Sequence, residues 1–385
     1  MNFLNLTATL TLTIRYPSGG LHSNSFLFLR GSAAGLSWDK GVRVFASGHD
    51  AWSIVLPGQP VGSNPQFKAL IDDSQWAIGV NGVLSINETR SAEYYPFFTS
   101  TSGRYEYVRG VQSSRLGNTR DLVVYVPPGY DENPYATYSS VLLMQDGENV
   151  FNDSTSFGGR SWRAGPTLDT EISAGRMGPV VVVAIDNTMQ RTYEYTYCKD
   201  PQYGGGGADV YLDFLEETVT PLVLQRYRLQ PSARGACSPT FDSRRREPNP
   251  NPAAPQNIAG LRHSVRLNQP LRFHVALPAV SILGSSLGGL LACYAAWTRP
   301  HAFPHAACMS SSFWWNSSDF LAHQLTRRPS SAPSLLYMDS GTDDGDTDIM
   351  KDTIQARRLQ IRSAHRVDAG CRLACGLSLQ MGFDR

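Results

Sequence analysis

The chain has 385 residues, of which 41% are hydrophobic and 17% charged, and its 34 basic and 33 acidic side chains give a formal net charge of +1. This near-neutral balance argues against nucleic acid or an anionic membrane surface as the main partner. The length predicts two or three domains, and the apolar content predicts a globular protein with a buried core.

Residues 1–90 contain short apolar stretches separated by turn-forming Gly, Pro and Ser, which predicts a small all-β sandwich domain. The N-terminal residues alternate Leu and Thr, which is typical of a strand and not of a signal peptide. No apolar run approaches the roughly 18 residues that span a bilayer. We therefore expect a cytoplasmic protein without a membrane span. The expected strands cover residues 9–16, 24–30, 42–46, 51–56, 66–72 and 82–87.

Residues 105–385 show a different pattern, in which apolar strands alternate with helices. Continuous apolar runs such as residues 179–186 are typical of strands buried on both faces, as in a mostly parallel sheet. This alternation predicts an α/β domain. The expected strands cover residues 121–126, 141–145, 179–186, 280–283, 306–309 and 334–339, and the expected helices cover residues 209–226, 287–297, 317–326 and 348–363.

Residues 229–278 break this rhythm with proline-rich and arginine-rich sequence. Such sequence cannot bury enough apolar surface to offset its ordering entropy, so we expect a disordered insertion there. The six cysteines lack the spacing of a metal site. Cys293 and Cys308 lie in apolar segments and are expected to be buried free thiols. We therefore expect neither a metal nor an organic cofactor.

The motif Gly284-Ser285-Ser286-Leu287-Gly288 carries the predicted chemistry. It fits G-x-S-x-G between a predicted strand and a predicted helix, which is the context that a nucleophile elbow requires. The turn is sharp, so the residues two before and two after the serine must be small, and both are glycine. Ser286 is therefore the predicted nucleophile, and Ser285 is the weaker alternative because the glycines fall at the wrong offsets from it. The N–H group of Leu287 would point toward a developing oxyanion at the positive end of the helix.

A nucleophilic serine needs a base, and the base needs an orienting carboxylate. In this arrangement the carboxylate follows the serine along the chain and the histidine follows the carboxylate. Asp344 is the chosen acid because it follows a predicted strand, with Asp343 and Asp339 as rivals and an ordinary turn as the structural alternative. His365 is the one histidine after Asp344 and is the candidate base, although it continues a helix-like segment and a surface role stays open.

Five stretches resemble the putative-esterase family of α/β-hydrolases, which includes enterochelin esterase, feruloyl esterases and esterase D. They are residues 116–128, 145–151, 191–195, 284–289 and 341–344. The resemblance implies an α/β-hydrolase fold and supports Asp344, because the family's acid follows a Gly-Thr pair at that spacing. It also implies that the N–H group of Glu148 is the second oxyanion-hole donor, beside that of Leu287.

Two features depart from that family. Its members place the base in a Gly/His loop after a further strand, and the tail from residue 362 contains no such loop. His301 and His305 precede the acid and are out of order for the fold. The insertion at residues 229–278 is also unlike the family. A retained intron and a shifted frame are our hypothesis for both segments, and a transcript that encodes them as given would refute it.

The N-terminal region resembles, more weakly, a starch-binding β-sandwich such as the family-20 carbohydrate-binding modules. The similar residues are 29–32, 36–41 (which include Trp38), Trp52, and Phe67-Lys68 followed by Trp76. Tryptophan faces can stack on sugar rings, so the resemblance implies a glucan or another carbohydrate as partner. The alternative is that these tryptophans form the core of the sandwich, or that the domain only caps the active site.

The sequence thus predicts a serine carboxylesterase that acts on a small-molecule ester, sugar-linked or aryl, through an acyl intermediate on Ser286. The competing hypothesis is a catalytically impaired carbohydrate-binding protein, because the family's histidine loop is missing. The intact nucleophile motif favours the first hypothesis, and the unusual tail favours the second.

Overall fold

The computed structural model describes residues 6–230, 279–325, 333, 335–340 and 351. Up to residue 94, its regular elements are strands and one short 3-10 turn, Ser18–Gly20. Strands occur in all six predicted stretches, although the last of them ends at Val83. The strands are β1 (Thr7–Arg15), β2 (Leu27–Gly31), β3 (Val42–Arg43), β4 (Phe45–Gly48), β5 (Ala51–Pro60), β6 (Gln66–Ile71), β7 (Gln75–Trp76), β8 (Gly82–Val83) and β9 (Arg90–Tyr94).

These strands form two sheets, one in the order β4-β5-β1-β9 and one in the order β3-β2-β6-β7 with β8 also paired to β6. The alternating sequence of β1 gives its sheet one apolar face. Leu10, Leu12 and Ile14 point to that face and are fully buried. They share a hydrophobic cluster with Leu27 and Leu29 of the other sheet. The two sheets are therefore held together by a common core.

The second part of the chain alternates strands and helices. Its strands are β10 (Arg104–Ser113), β11 (Asn118–Val126), β12 (Ser140–Gln145), β13 (Val181–Ile185), β14 (Lys199–Asp200), β15 (Gly204–Gly205), β16 (Ala279–Ser285), β17 (His305–Met309) and β18 (Leu335–Asp339). Its helices are α1 (Ala164–Ser173), α2 (Arg191–Tyr195), α3 (Ala208–Phe214), α4 (Thr220–Arg226), α5 (Leu287–Thr298) and α6 (Trp315–Asp319).

A seven-stranded sheet in the order β10-β11-β13-β12-β16-β17-β18 forms the centre of this part. The first two pairings are antiparallel, and strands β13, β12, β16, β17 and β18 are parallel to one another. Every residue of β13 is buried, as its continuous apolar sequence predicts. The α/β class is confirmed. Because the strands are parallel, β12, β16, β17 and β18 end at the same edge, and this edge carries the candidate site.

Two predicted helices differ from the structure. Residues 208–226 are helical throughout, but a π-helical turn, Leu215–Val219, separates α3 from α4 just before Pro221, which has no N–H group to donate. The helix expected at 317–326 is a left-handed turn at residues 316–318 followed by a π-helical turn, Phe320–Gln324. The helix expected at 348–363 lies outside the described residues, apart from Lys351.

The prediction of free thiols at Cys293 and Cys308 is wrong, because the two form a disulfide. Cys293 lies on α5 and Cys308 on β17, and the helix packs against the strand so that the two Cα atoms are 5.7 Å apart. This distance suits a disulfide, and a sequence separation of 15 positions gave no indication of it.

The predicted insertion and tail lie almost wholly outside the described residues. Leu229 and Gln230, at the start of the predicted insertion, are ordered and pair with Tyr138 of the α/β part. Within the ranges that the structure describes, every helix is too short or too polar to cross a membrane.

Glu132, in the loop after β11, joins the two parts of the chain. Its carboxylate accepts hydrogen bonds from the hydroxyl of Tyr16 at 3.0 Å and from the N–H group of Phe98 at 2.6 Å. Burial alone would raise the pKa of Glu132, but these donors and their neighbours outweigh it and lower the pKa. The side chain of Asn133 adds a hydrogen bond of 2.9 Å to the carbonyl of Arg15. We call this contact region the Glu132 seam.

Candidate active site

Ser286 lies at the sharp turn between β16 and α5. Its φ of 58° and ψ of −121° are strained for a residue with a side chain, and such strain concentrates at functional sites. A Cβ atom on Gly284 would collide with the carbonyl of Gly288, which explains why the position is glycine. Leu287 is buried behind the turn, whereas Ser286 is exposed. The turn therefore presents one serine hydroxyl above the edge of the sheet.

The N-terminus of α5 faces the same place. The N–H group of Leu290 donates to the carbonyl of Ser286 at 3.1 Å, so the first intrahelical bond starts there. The N–H of Leu287 precedes it and has no acceptor one turn back within the helix. This N–H group lies at the positive end of the helix dipole.

The loop after β17 holds Ser286 from the other side. The N–H group of Ser286 donates to the carbonyl of Met309 at 3.0 Å, and the N–H group of Ser312 donates to the carbonyl of Ser286 at 3.0 Å. The hydroxyl oxygens of Ser286 and Ser312 are 3.1 Å apart and share a hydrogen bond. We refer to residues 284–288 together with Met309 and Ser312 as the elbow wall.

Ser312 was missed by the sequence analysis. Its position in the chain could have indicated its role. A run of three serines, residues 310–312, directly follows β17, and β17 neighbours the nucleophile strand β16. Adjacent parallel strands end at the same edge, so side chains after their carboxyl ends lie close together.

The opposite wall of the site is formed by the residues after β12. Asp146 has a φ of 56°, in the left-handed region, and is held in it by several partners. Arg191 binds both carboxylate oxygens of Asp146, at 2.6 and 2.8 Å. Asn187 donates from its side-chain amide to Asp146 at 2.8 Å and to the carboxylate of Glu148. The N–H group of Asp146 donates to the hydroxyl of Tyr195 at 3.1 Å. Residues 146–149 and 187–195 are called the charged wall below.

Glu148 of the charged wall and the adjacent Asp186 have raised pKa values. Burial raises the pKa of Glu148, helped by the negative charge of Asp146 and opposed by its own backbone N–H group. Burial and the nearby Glu148 raise the pKa of Asp186 to about 6. One carboxylate oxygen of Asp186 is buried and makes no hydrogen bond in the described part of the chain. Burial lowers the pKa of Arg191, but its hydrogen bonds to Asp146 outweigh this effect and raise it.

A second charge pair joins this wall to the sheet. Arg120 on β11 and Glu194 on α2 are 1% and 0% exposed, and their closest N–O distance is 2.6 Å. Asn118 also donates to Glu194, at 2.6 Å. The stretch Arg191–Tyr195 therefore has a structural role. Arg191 fixes the side chain of Asp146, and Glu194 anchors α2 to the sheet through Arg120.

A cleft of about 210 Å³ lies between the two walls. Ser286 lines it together with the aromatic side chains of Phe157 and Trp162 and the guanidinium of Arg160. Phe157 is 92% exposed and is followed by two glycines with positive φ. A larger cavity of about 370 Å³ lies around Lys68 and two glycine turns, but none of its lining residues carries a hydroxyl or thiol nucleophile, so the smaller cleft is the better candidate.

Of the predicted acid and base residues, the structure describes one. Asp344, its rival Asp343 and His365 lie outside the described residues. Asp339, the other rival, is described: it ends β18 and pairs with Met309, at the same edge as Ser286.

His305 begins β17 and pairs with Ser281, so it lies at the opposite end of the sheet and cannot reach Ser286. His301 is close to it in the chain and lies 4.0 Å from Glu216. Ser285, the alternative nucleophile, is the last residue of β16 and is less exposed than Ser286. The two oxyanion candidates, Leu287 and Glu148, belong to the elbow wall and the charged wall respectively.

Two of the three predicted sugar-binding tryptophans come together. The rings of Trp38 and Trp76 stack with centroids 6.3 Å apart and an angle of 29° between their planes. Both rings are partly exposed, and the guanidinium of Arg30 lies over Trp76 at 5.2 Å. Trp52 lies in the other sheet and packs against the core. Among the described residues, no group of three or more His, Cys, Asp or Glu side chains is placed to hold a metal ion.

A serine on a strand–turn–helix elbow at the edge of a mostly parallel sheet defines the α/β-hydrolase class. The model of the putative-esterase family matches residues 113–237 and 268–369, which is more than half of the chain. The chain therefore belongs to this family. The two matched segments leave out residues 238–267, within the predicted insertion.

Curated and solved relatives were also found. The siderophore triacetylfusarinine C esterase of Aspergillus fumigatus is 32% identical over 114 residues, which are 30% of this chain and 24% of that protein. The chain thus matches about a quarter of the length of this relative. The siderophore hydrolase EstB from Aspergillus nidulans has 21% identity and a TM-score of 0.39, over 69% of this chain and 81% of that one. The enterobactin esterase FES from Shigella flexneri has 14% identity and a TM-score of 0.41, over 94% and 88%.

Proposed function

We propose that this chain is a serine carboxylesterase that forms an acyl intermediate on Ser286. The observation that carries the proposal is the strained, exposed Ser286 at the strand–helix turn, facing a cleft. A backbone conformation of this kind persists only where the surroundings enforce it, and here glycines and hydrogen bonds to the elbow wall do so. Family membership is consistent with the proposal.

In the proposed mechanism, Ser286 Oγ attacks the ester carbonyl carbon while its proton passes to a histidine. The carbonyl oxygen becomes an oxyanion that accepts hydrogen bonds from the N–H group of Leu287 and from that of Glu148, which gives up its contact with the Glu148 carboxylate. The intermediate then expels the alkoxide, which takes the proton from the histidine, and water hydrolyses the acyl-serine by the same route. His365 is the proposed base and Asp344 the proposed orienting acid. Loss of one oxyanion donor would cost on the order of 10²–10³ in turnover.

For the substrate, we propose a small ester with an aromatic group. The cleft offers the exposed ring of Phe157 and the ring of Trp162 beside Ser286, and aromatic pairs gain about 0.5–1.5 kcal/mol beyond area burial. Arg160 lies at the same cleft and suits an acidic or hydroxylated ring. A sugar-linked ester is the alternative. Hydrolysis of benzyl acetate, which expels an alkoxide as butyl acetate does, should therefore be faster than that of butyl acetate, and the preference should shrink in Phe157→Ala.

Labelling with a fluorophosphonate probe tests the mechanism, because the probe attaches only to an activated serine. We expect the full-length protein to be labelled, Ser286→Ala to lose the label and Ser285→Ala to keep it. Labelling that survives in Ser286→Ala would contradict the assignment of the nucleophile. A folded wild type that takes no label would leave the catalytically impaired alternative, in which the chain binds a ligand without turnover.

We also propose the domain division that the sequence predicted. Residues 1–90 would be a β-sandwich domain, and residues 105–385 an α/β-hydrolase domain with an insertion at 229–278 and an atypical tail from 362. Separate hydrophobic clusters in the two parts support this division. A cytoplasmic location stays a prediction, and the Cys293–Cys308 disulfide weighs against it because such bonds persist in oxidising compartments.

Carbohydrate binding by the N-terminal part is a second candidate function. The stacked, partly exposed pair of Trp38 and Trp76 favours it, since sugars bind to aromatic faces of this kind. Trp52 is less suited, because it packs against the core. Co-sedimentation with insoluble starch checks this candidate. We expect Trp38→Ala and Trp76→Ala to release the protein and Trp52→Phe to leave it bound; equal retention by all variants would rule out this surface.

A further inference from the structure

Ser312 makes two hydrogen bonds to the candidate nucleophile. Its N–H group donates to the carbonyl of Ser286 at 3.0 Å, and its hydroxyl oxygen lies 3.1 Å from the hydroxyl oxygen of Ser286. Ser312 is 2% exposed, so surrounding protein fixes its position. Ser286, in contrast, is exposed to the cleft and could adopt three staggered side-chain rotamers.

We propose that Ser312 is a positioning residue for Ser286, and that its hydroxyl holds the nucleophile in the attacking rotamer. This inference rests on the proposed function of Ser286 as the nucleophile. It deepens that proposal, because it explains how an exposed serine on a strained turn is kept in one orientation before a substrate arrives.

The direction of the hydrogen bond follows from the chemistry. Ser286 must direct its own proton toward the base, so the hydroxyl of Ser312 is the donor and Ser286 Oγ the acceptor. A donor in this place also stabilises the nucleophile oxygen while it loses its proton and gains negative charge. A hydrogen bond to a charged group is worth about 1.5–3 kcal/mol, which corresponds to a roughly 10- to 100-fold change in rate.

The backbone around Ser312 is itself fixed. The N–H group of Ser310 donates to the carbonyl of Asp339 at 2.9 Å, and the N–H group of Ser286 donates to the carbonyl of Met309 at 3.0 Å. The loop therefore connects the nucleophile turn to the end of β18. A fixed donor on a fixed loop is what a positioning role requires.

Ser311 provides a matched control. It is the neighbouring serine, it is 0% exposed, and its hydroxyl oxygen makes no hydrogen bond in the described part of the chain. It lies on the side of the loop that faces Gly289, where a Cβ atom would approach Ser311 Oγ to 2.6 Å. Removal of this hydroxyl changes one buried serine of the same loop without touching Ser286.

The experiment compares the full-length wild type with Ser312→Ala, Ser311→Ala and Ser286→Ala. The melting temperature establishes that each variant is folded. The rate of fluorophosphonate labelling and the kcat and KM for p-nitrophenyl acetate are then measured. We expect Ser312→Ala to lower the labelling rate and kcat by about 10- to 100-fold with little change in KM, because only the reacting oxygen is affected. Ser311→Ala should retain wild-type values.

The results distinguish the positioning role of Ser312 from the nucleophile role of Ser286. If Ser312→Ala reacts like the wild type while Ser286→Ala is unreactive, the nucleophile stands and the positioning role is overturned. Equal losses in Ser311→Ala and Ser312→Ala would also overturn it, since any cavity in this loop would then have the same effect. A folded wild type that takes no label overturns both claims.

Discussion

The elbow wall and the charged wall face each other across the same cleft, but different forces hold them in place. The elbow wall depends on shape: small residues at 284 and 288, and a helix α5 that is buried from Leu287 to Trp297. The charged wall depends on ion pairs and amide hydrogen bonds around Asp146. The first wall should therefore respond to side-chain volume and the second to charge, and each prediction below tests this contrast.

The largest effect is expected at the buried pair of Arg120 and Glu194. Glu194→Gln keeps the size of the side chain but leaves the Arg120 charge unpaired, which should lower the free energy of unfolding by about 3–5 kcal/mol. Urea denaturation measures the change. The control is Glu171→Gln, which removes the partner of Arg176 at the surface and should leave stability unchanged. Equal unfolding free energies for Glu194→Gln and Glu171→Gln would contradict the view that charge pairs stabilise the charged wall.

A methyl group at the elbow should have the next largest effect. In Gly284→Ala the new Cβ atom collides with the carbonyl of Gly288, so we expect a loss of about 2–3 kcal/mol and of Ser286 labelling. Gly178→Ala adds the same group in open space and should be neutral. Thermal unfolding and probe labelling check both variants, and a stable, reactive Gly284→Ala would show that shape does not govern this wall.

Arg191→Lys should have a smaller effect, because it retains the charge and loses only the two-pronged contact with Asp146. We expect kcat/KM for p-nitrophenyl acetate to fall about tenfold, since the N–H group of Glu148 would be less well fixed. Arg176→Lys, at the exposed pair, is the control. An unchanged kcat/KM would mean that Arg191 supports folding alone.

The smallest effect concerns pH. The pKa of Asp186 is about 6 in the folded protein and lies above its ordinary value of 3.8, so the folded state favours the neutral acid. Its contribution to stability is full below pH 4 and is lost as the pH rises through 6. Asp186→Asn should therefore raise the free energy of unfolding by about 1 kcal/mol at pH 8, after allowance for solvent screening. Near pH 4 the variant and the wild type should be equally stable. A pH-independent difference in unfolding free energy would contradict this.

The contrast between the walls also explains how much the sequence could predict. The elbow depends on neighbours in the chain, so glycines at fixed offsets from Ser286 were sufficient to find it. Likewise, the strands of the parallel sheet are continuous apolar runs and were predicted within a few residues.

The remaining features depend on contacts between distant segments. Asp146 and Arg191 are 45 residues apart, and no local pattern pairs them. Strand β10 alternates charged and aromatic residues, and α1 contains a proline in its first turn, so neither gave a clear periodicity. Cys293 and Cys308 meet only because α5 packs on β17.

The Glu132 seam has a consequence for how this architecture can be inherited. Glu132 and Asn133 belong to the α/β part, but their partners include Arg15 at the end of β1 and the adjacent Tyr16. A recombination event that exchanged the N-terminal sheets for others would leave a half-buried carboxylate and a buried amide facing a surface not shaped for them. Lineages should therefore change these two positions together with β1, and a chimaera that ignores them should aggregate even when both of its parents are stable.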